Sequence, residues 1–117
     1  MATAQCRDLC EGLLRKIPGI RAVVAIGLDG SVLDQVLVGN SIDSHVLASE
    51  YATLFRIATR TSDDAGTGEA VEHIVGSDRF TIIARRVAPD LILMVVTESD
   101  QVGRARYELK RVGLGML

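Results

Sequence analysis

The sequence predicts an α+β domain of two or three layers around a mostly antiparallel sheet, with elements in the order α-β-β-α-β-β-β-α. Three observations lead there. Asp29-Gly30 is a hairpin turn between two short runs rich in Val, Ile and Leu. Three more such runs follow one another as a meander, separated by Gly76-Ser77-Asp78 and Ala88-Pro89-Asp90. Segments of helical period open, divide and close the chain.

The first helix is expected over 4–16, where Cys6, Leu9, Cys10, Leu13 and Leu14 recur at helical spacing, with Ile17 just beyond. Thr3 is placed to cap its start. Arg15 and Lys16 suit the negative end of its dipole, and Pro18 biases Ile17 out of the helical region. Arg21 to Leu28 reads as a central strand, apolar on both faces. Asp29-Gly30 reverses the chain within two residues, and Ser31 to Val38 returns. Gly39-Asn40-Ser41 breaks the pattern and offers an N-cap for a long helix over Ile42 to Thr61. Residues 63–68 then read as a loop. Strands are expected at Ala70 to Val75, Arg79 to Val87 and Leu91 to Thr97. A last helix begins near Ser99 or Asp100 and runs to about Val112. Asp100–Arg104 and Arg104–Glu108 are spaced as i,i+4 pairs along it, each worth about 0.2–0.5 kcal/mol.

Length and composition narrow the function. The 117 residues fit one domain, 1–117, without repeat or linker. The chain is 48% hydrophobic, with mean hydropathy +0.27, which leaves apolar surface for a partner in so small a domain. A net charge of -2 provides no global basic field to attract nucleic acid or membrane. Aromatics at 3% and no Trp argue against a base-stacking platform. Met1 to Arg7 shows no signal-peptide pattern, and the longest apolar run, Leu91 to Val96, falls far short of the ~20 residues that span a bilayer. Cys6 and Cys10 share a helix face and read as core residues in a reducing compartment, so a cytoplasmic location without membrane insertion is expected.

The long helix carries more apolar surface than one sheet can bury. Leu47, Tyr51, Leu54 and Ala58 form a stripe, which Phe55 and Ala48 widen on one side and Ile57 and Val46 on the other. The arc spans roughly 200°, about twice what contact with one sheet requires. The surplus is expected to face a second copy of the chain across a two-fold axis, or else the first or last helix of the same chain. Glu50 lies inside the arc, either as a flank acid reaching water or an arginine, or as a polar group that sets register at the interface. The strand 70–75 adds to the case. Val71, His73 and Val75 face one way, and the strand has no Pro or Lys to protect an open edge. The expected dimer interface is therefore Val46, Leu47, Glu50, Tyr51, Leu54 and Ile57 with Val71, His73 and Val75.

Together these segments resemble the roadblock/dynein light-chain family in its bacterial, gliding-motility form. The resemblance is carried by Ile17-Pro18-Gly19-Ile20-Arg21-Ala22-Val23-Val24 running on to Asp29-Gly30, and by the long helix with Glu50 near its middle. It continues in Arg79-Phe80-Thr81-Ile82-Ile83 before Leu91 to Val96, and in Gly103-Arg104-Ala105-Arg106-Tyr107-Glu108-Leu109. It covers essentially the whole chain. It implies a profilin-like, five-stranded antiparallel sheet in the order 2-1-5-4-3, with the long helix on one face and the terminal helices on the other. It implies homodimers in which the third strands and the long helices pair. It also implies binding of small Ras-like GTPases or assembly into cytosolic scaffolds, with the nucleotide chemistry remaining on the GTPase.

Chemistry of the chain's own finds little support in the sequence. Gly66-Thr67-Gly68 lacks the Gly-Lys-Ser/Thr of a phosphate loop and precedes a strand, so it reads as a plain loop. Cys6, Cys10, His45 and His73 show no paired-ligand spacing, so neither metal nor cofactor is expected. Ser and Asp sit mostly where caps and turns want them. The arginines of the long helix, Arg56 and Arg60, are the candidate contacts to a GTPase. The leading expectation is a non-catalytic dimeric adaptor that binds a small Ras-like GTPase. The alternatives are a small-ligand sensor and a structural subunit of a larger complex.

Overall fold

The computed structural model describes residues 3–39 and 41–115. Helix α1 spans Thr3–Lys16, strands β1 and β2 span Ile20–Ile26 and Val32–Leu37, and helix α2 spans Ser44–Ala65. Strands β3, β4 and β5 span Glu72–Gly76, Thr81–Ala88 and Leu91–Thr97. A 3-10 turn at Ser99–Gln101 leads into helix α3, Val102–Gly115. The five strands form one antiparallel sheet in the order β2-β1-β5-β4-β3, the order the resemblance implies.

Alternation along the strands divides the core into two layers. Ala22, Val24, Ile26, Ala84, Ile92, Met94 and Val96 point toward α2, where they meet Ala48, Tyr51 and Phe55. Val23, Ala25, Ile83, Leu93 and Val95 point the other way, onto Cys6, Cys10, Leu13, Ala105 and Leu109 of α1 and α3. β5, at the centre of the sheet, is buried along its whole length. The alanines at 22, 48 and 84 leave room for α2 to lie close on its sheet. The terminal helices are tied together by Arg104, whose Nε donates to the Lys16 carbonyl at 3.1 Å and whose Nη2 lies 2.9 Å from the buried Glu108.

Several local expectations are corrected. The β1–β2 hairpin does not turn within two residues. Gly27 N donates to Ser31 O at 2.9 Å and Gly30 N donates to Gly27 O at 3.0 Å, so Leu28, Asp29 and Gly30 form a three-residue loop. Only Gly30 has positive φ, at 89°. Asp29 instead accepts from the hydroxyl and the backbone N–H of Ser31, which holds its carboxyl below the usual range. A one-residue shift in pairing beside Ile26 absorbs the extra loop length. The N-cap of α2 is Asp43, whose Oδ1 accepts from the N–H groups of His45 and Val46, both at 3.1 Å. Ser41 lies two residues too early for that role, and Asn40 lies outside the described residues. α2 also runs four residues past Thr61. Gly66, at φ 79°, ends it, with Gly66 N donating to Asp63 O and Thr67 N to Ser62 O. The helix α1 includes Thr3, so its cap position falls outside the described residues. Of the two pairs expected on α3, Arg104–Glu108 forms. Asp100 lies in the 3-10 turn, and Arg104 is already engaged by Lys16 O and Glu108.

Candidate protein-interaction surface

β3 is an edge strand, hydrogen-bonded only to β4 among the described residues. Its pairing with β4 sets Val71 opposite Arg86, His73 opposite Ala84 and Val75 opposite Ile82, so these three side chains lie on the α2 face. Glu72, on the opposite face, is clamped from two sides. Arg85 Nη1 approaches it at 3.0 Å from β4 and Arg106 Nη2 at 2.8 Å from α3. The clamp fixes the strand from below and leaves its α2 side and its outer edge open. The other edge strand, β2, carries an inward-pointing charge, Asp34, held by Arg7 Nε at 3.0 Å. An inward charge is one device that discourages edge pairing, and β3 has none facing α2.

α2 supplies the adjoining surface. Its core face is Ser44, Ala48, Tyr51, Ala52 and Phe55. Its polar flank, with Ser49 and Arg56, leans toward the β1–β2 hairpin, where Arg56 Nη1 donates to Leu28 O at 2.7 Å. The opposite flank and the top remain apolar and open: Val46 is 56% exposed, Ile57 53% and Leu54 40%. Val75 of β3 and Val71 just before it are also exposed. His73 is half-buried and stacks on Phe55, ring centroids 4.3 Å apart, which fastens β3 to α2. Burial lowers its pKa. The structure therefore gathers eight of the nine expected interface residues along one α2 flank and the neighbouring edge. Glu50 is exposed among them and Leu47 is half-buried. Tyr51 is the exception: at 6% exposure it packs into its own sheet, and burial raises the pKa of its hydroxyl. A hundred-degree helix projection places Tyr51 between the two faces, and packing assigns it to the inner one.

At one end of this surface the start of α2 and the β3–β4 turn enclose a groove of about 330 Å³. Its floor is Ile42, Val46, Leu47, Phe80, Ile82 and Val96, and Asp43, Asp78 and Arg79 stand at its rim. Arg21 and Arg79 lie over the Phe80 ring at 5.7 and 5.5 Å. Sequence reading missed this groove because it is made by three elements distant in the chain. Its only local signal is Phe80, one of two phenylalanines, at a strand start rather than inside it.

The two arginines named as partner contacts differ. Arg56 is held by Leu28 O and by Thr53 Oγ1 at 3.1 Å, whereas Arg60 is exposed with no ion pair or side-chain hydrogen bond among the described residues. Cys6 and Cys10 are buried as reduced thiols, with Cys10 pushed up to about 12 by desolvation. Among the described residues no three His, Cys, Asp or Glu side chains converge as a metal site, and no helix is long and apolar enough to cross a membrane.

No family model matches the sequence, and no curated protein matches it. Solved structures do match in shape. MglB from Myxococcus xanthus superposes with a TM-score of 0.86 at 16% identity, covering 97% of this chain and 86% of the other. The gliding protein MglB from Thermus thermophilus gives 0.84 at 17%, covering 95% and 84%. A Roadblock/LC7 domain from Streptomyces avermitilis gives 0.81 at 15%, covering 92% and 91%. The sheet order and the placing of its helices thus belong to a shared architecture, and the chain has the roadblock fold in the form seen in MglB structures.

Proposed function

We propose that the chain is a non-catalytic homodimeric adaptor that binds a small Ras-like GTPase and modulates its nucleotide cycle or its location in the cytoplasm. The observation that carries the reading is the open apolar surface formed by Val46, Leu54 and Ile57 of α2 with Val75 of β3 and Val71 just before it. A two-fold axis beside β3 pairs this surface with its own copy and continues the sheet across the edge. Each of these half-exposed side chains contributes roughly 1 kcal/mol when covered, so ten of them in a symmetric pair give on the order of 10 kcal/mol. That is comparable to the 4–15 kcal/mol or so that association costs, and strand pairing along β3 is the added term that makes a stable dimer.

The likeness in fold to MglB structures and the family resemblance of the sequence support a GTPase as the partner. The shape matches include one described as MglB with a tetrameric arrangement, at 17% identity and a TM-score of 0.86. In a dimer, the outer faces of the two α2 helices present Arg56 and Arg60 to a partner. Arg60 is the stronger candidate because no side chain or carbonyl among the described residues engages its guanidinium. The test is affinity capture with the immobilised dimer from host extract supplied with GDP or a non-hydrolysable GTP analogue. Retention of a Ras-like GTPase, preferential for one nucleotide and weakened by Arg60→Ala more than by Arg56→Ala, is expected. Capture of other proteins with no GTPase in either state would favour the structural-subunit reading.

A further inference from the structure

Beneath the C-terminal half of α2, on the side away from the open flank, lies a second cavity of about 250 Å³. Its wall is Leu28 from the hairpin loop and Phe55 and Thr59 from α2, and two guanidinium groups, Arg56 and Arg86, complete it. Three features separate it from a packing gap. First, both arginines are fixed. Arg56 is held by Leu28 O at 2.7 Å and Thr53 Oγ1 at 3.1 Å, and Arg86 by Glu69 Oε1 at 2.7 Å and Pro89 O at 2.8 Å. A guanidinium has five N–H donors, so each retains three that no side chain or carbonyl among the described residues engages. Second, the two carboxylates nearest the cations leave those donors free: Glu69 takes one N–H of Arg86, and Asp29, which feels the charge of Arg56, accepts from Ser31. Third, the apolar wall is stiff. The Phe55 ring is backed by His73, and the hairpin tip is pressed on α2, where a Cβ at Gly30 would meet Ser49 Cα at 3.3 Å.

A mostly apolar cavity with a few fixed, convergent donors of one charge is the usual form of a small-ligand site. We propose that this cavity binds a small monocarboxylate with a short aliphatic or aryl body, the body against Leu28 and Phe55 and the carboxylate between Arg56 and Arg86. Charged hydrogen bonds from guanidinium to carboxylate supply orientation, and the volume limits the body to a few carbons. The site goes beyond the adaptor reading and stands within one chain. Phe55, Arg56 and Thr59 lie on the opposite side of α2 from Leu54 and Ile57, and every lining residue comes from one chain. An occupant would brace α2 against the β1–β2 loop, the element that also carries the interaction surface.

The probe pair is hexanoate and 1-hexanol, titrated into the full chain and followed by backbone amide NMR. Hexanoate is expected to shift the amides of Leu28, Phe55, Thr59 and Arg86 and to bind at least about tenfold tighter than 1-hexanol, the factor a charge-assisted hydrogen bond supplies. Arg86→Met and Arg56→Met are each expected to remove that preference. Because Arg86 also holds Glu69 and Pro89 O, its variant is first checked for a native amide spectrum. Arg56, being exposed, provides the second variant. Equal binding of the two probes, shifts confined to another part of the chain, or no saturable shifts with hexanoate would each overturn the proposal. None of these results bears on whether the chain dimerises.

Discussion

His73 links the core to the open edge. Its ring is half-buried on Phe55, and desolvation lowers its pKa from the ordinary 6.5. A depressed pKa means that the unfolded chain binds the proton more readily than the folded one. The stability this side chain contributes is therefore complete above 6.5 and is lost as the pH falls through the folded-state value. Urea unfolding between neutral pH and about pH 5 should show declining stability, and His73→Gln should flatten part of that slope. An unchanged slope in the variant would show that His73 titrates alike in both states. The cysteines make a simpler case. Cys10 is fully buried with its thiol pushed up to about 12, and Cys6 is buried beside it with its pKa raised. Neither should react with a thiol-specific disulfide reagent in the native protein at mildly alkaline pH, and both of the chain's two cysteines should react after unfolding. Fast reaction of one native thiol would contradict the burial. Both cysteines were legible as core residues from their spacing alone, because four residues on a helix means one face. The inward packing of Tyr51 was not, because only contact with the sheet decides which side of a wide apolar arc turns in.

At the scale of elements, α2 carries the account. Its existence and apolar width were legible, since a 3.6-residue period over twenty positions is a strong local signal. Its ends were not. Asp43 and Ser41 are both good caps by type, and Asp43 caps because its carboxylate reaches two free N–H groups. Asp43→Ala should cost about 1 kcal/mol in unfolding free energy, while Ser41→Ala should cost only a few tenths. Comparable losses in the two variants would place the cap elsewhere. The hairpin loop erred in the same way. Asp29-Gly30 signals a turn, but the choice between a two- and a three-residue loop rests with the pairing register, which here shifts at Ile26. Strand identities came through because alternation and turn residues are local. The lateral order β2-β1-β5-β4-β3 is a long-range fact, and the family resemblance supplied it where periodicity could not. The 330 Å³ groove and the 250 Å³ cavity were hidden for the same reason: each takes its walls from separate elements.

For the whole molecule, the two faces of the sheet have different duties. The α1–α3 layer closes its face, with Glu72, Glu108 and Arg104 binding helices and edge strand together. The α2 layer closes only part of the other face and ends in an apolar flank beside an edge strand whose outer side is open. A folded chain with both liabilities in one place is expected to satisfy them with a second copy. Placing arginine at Ile57, an exposed position, should dissociate that pair with little loss of chain stability, since a charge would then be buried unpaired at the interface. The same change at Leu109, which is fully buried, should unfold the chain instead. Sedimentation equilibrium of the purified chain at micromolar concentration, beside its Ile57→Arg variant, tests the central claim most directly. Twice the 12.6 kDa chain mass for the parent and a folded 12.6 kDa species for the variant is the predicted result. A parent that sediments as a stable monomer, or a variant that remains fully dimeric, would contradict it.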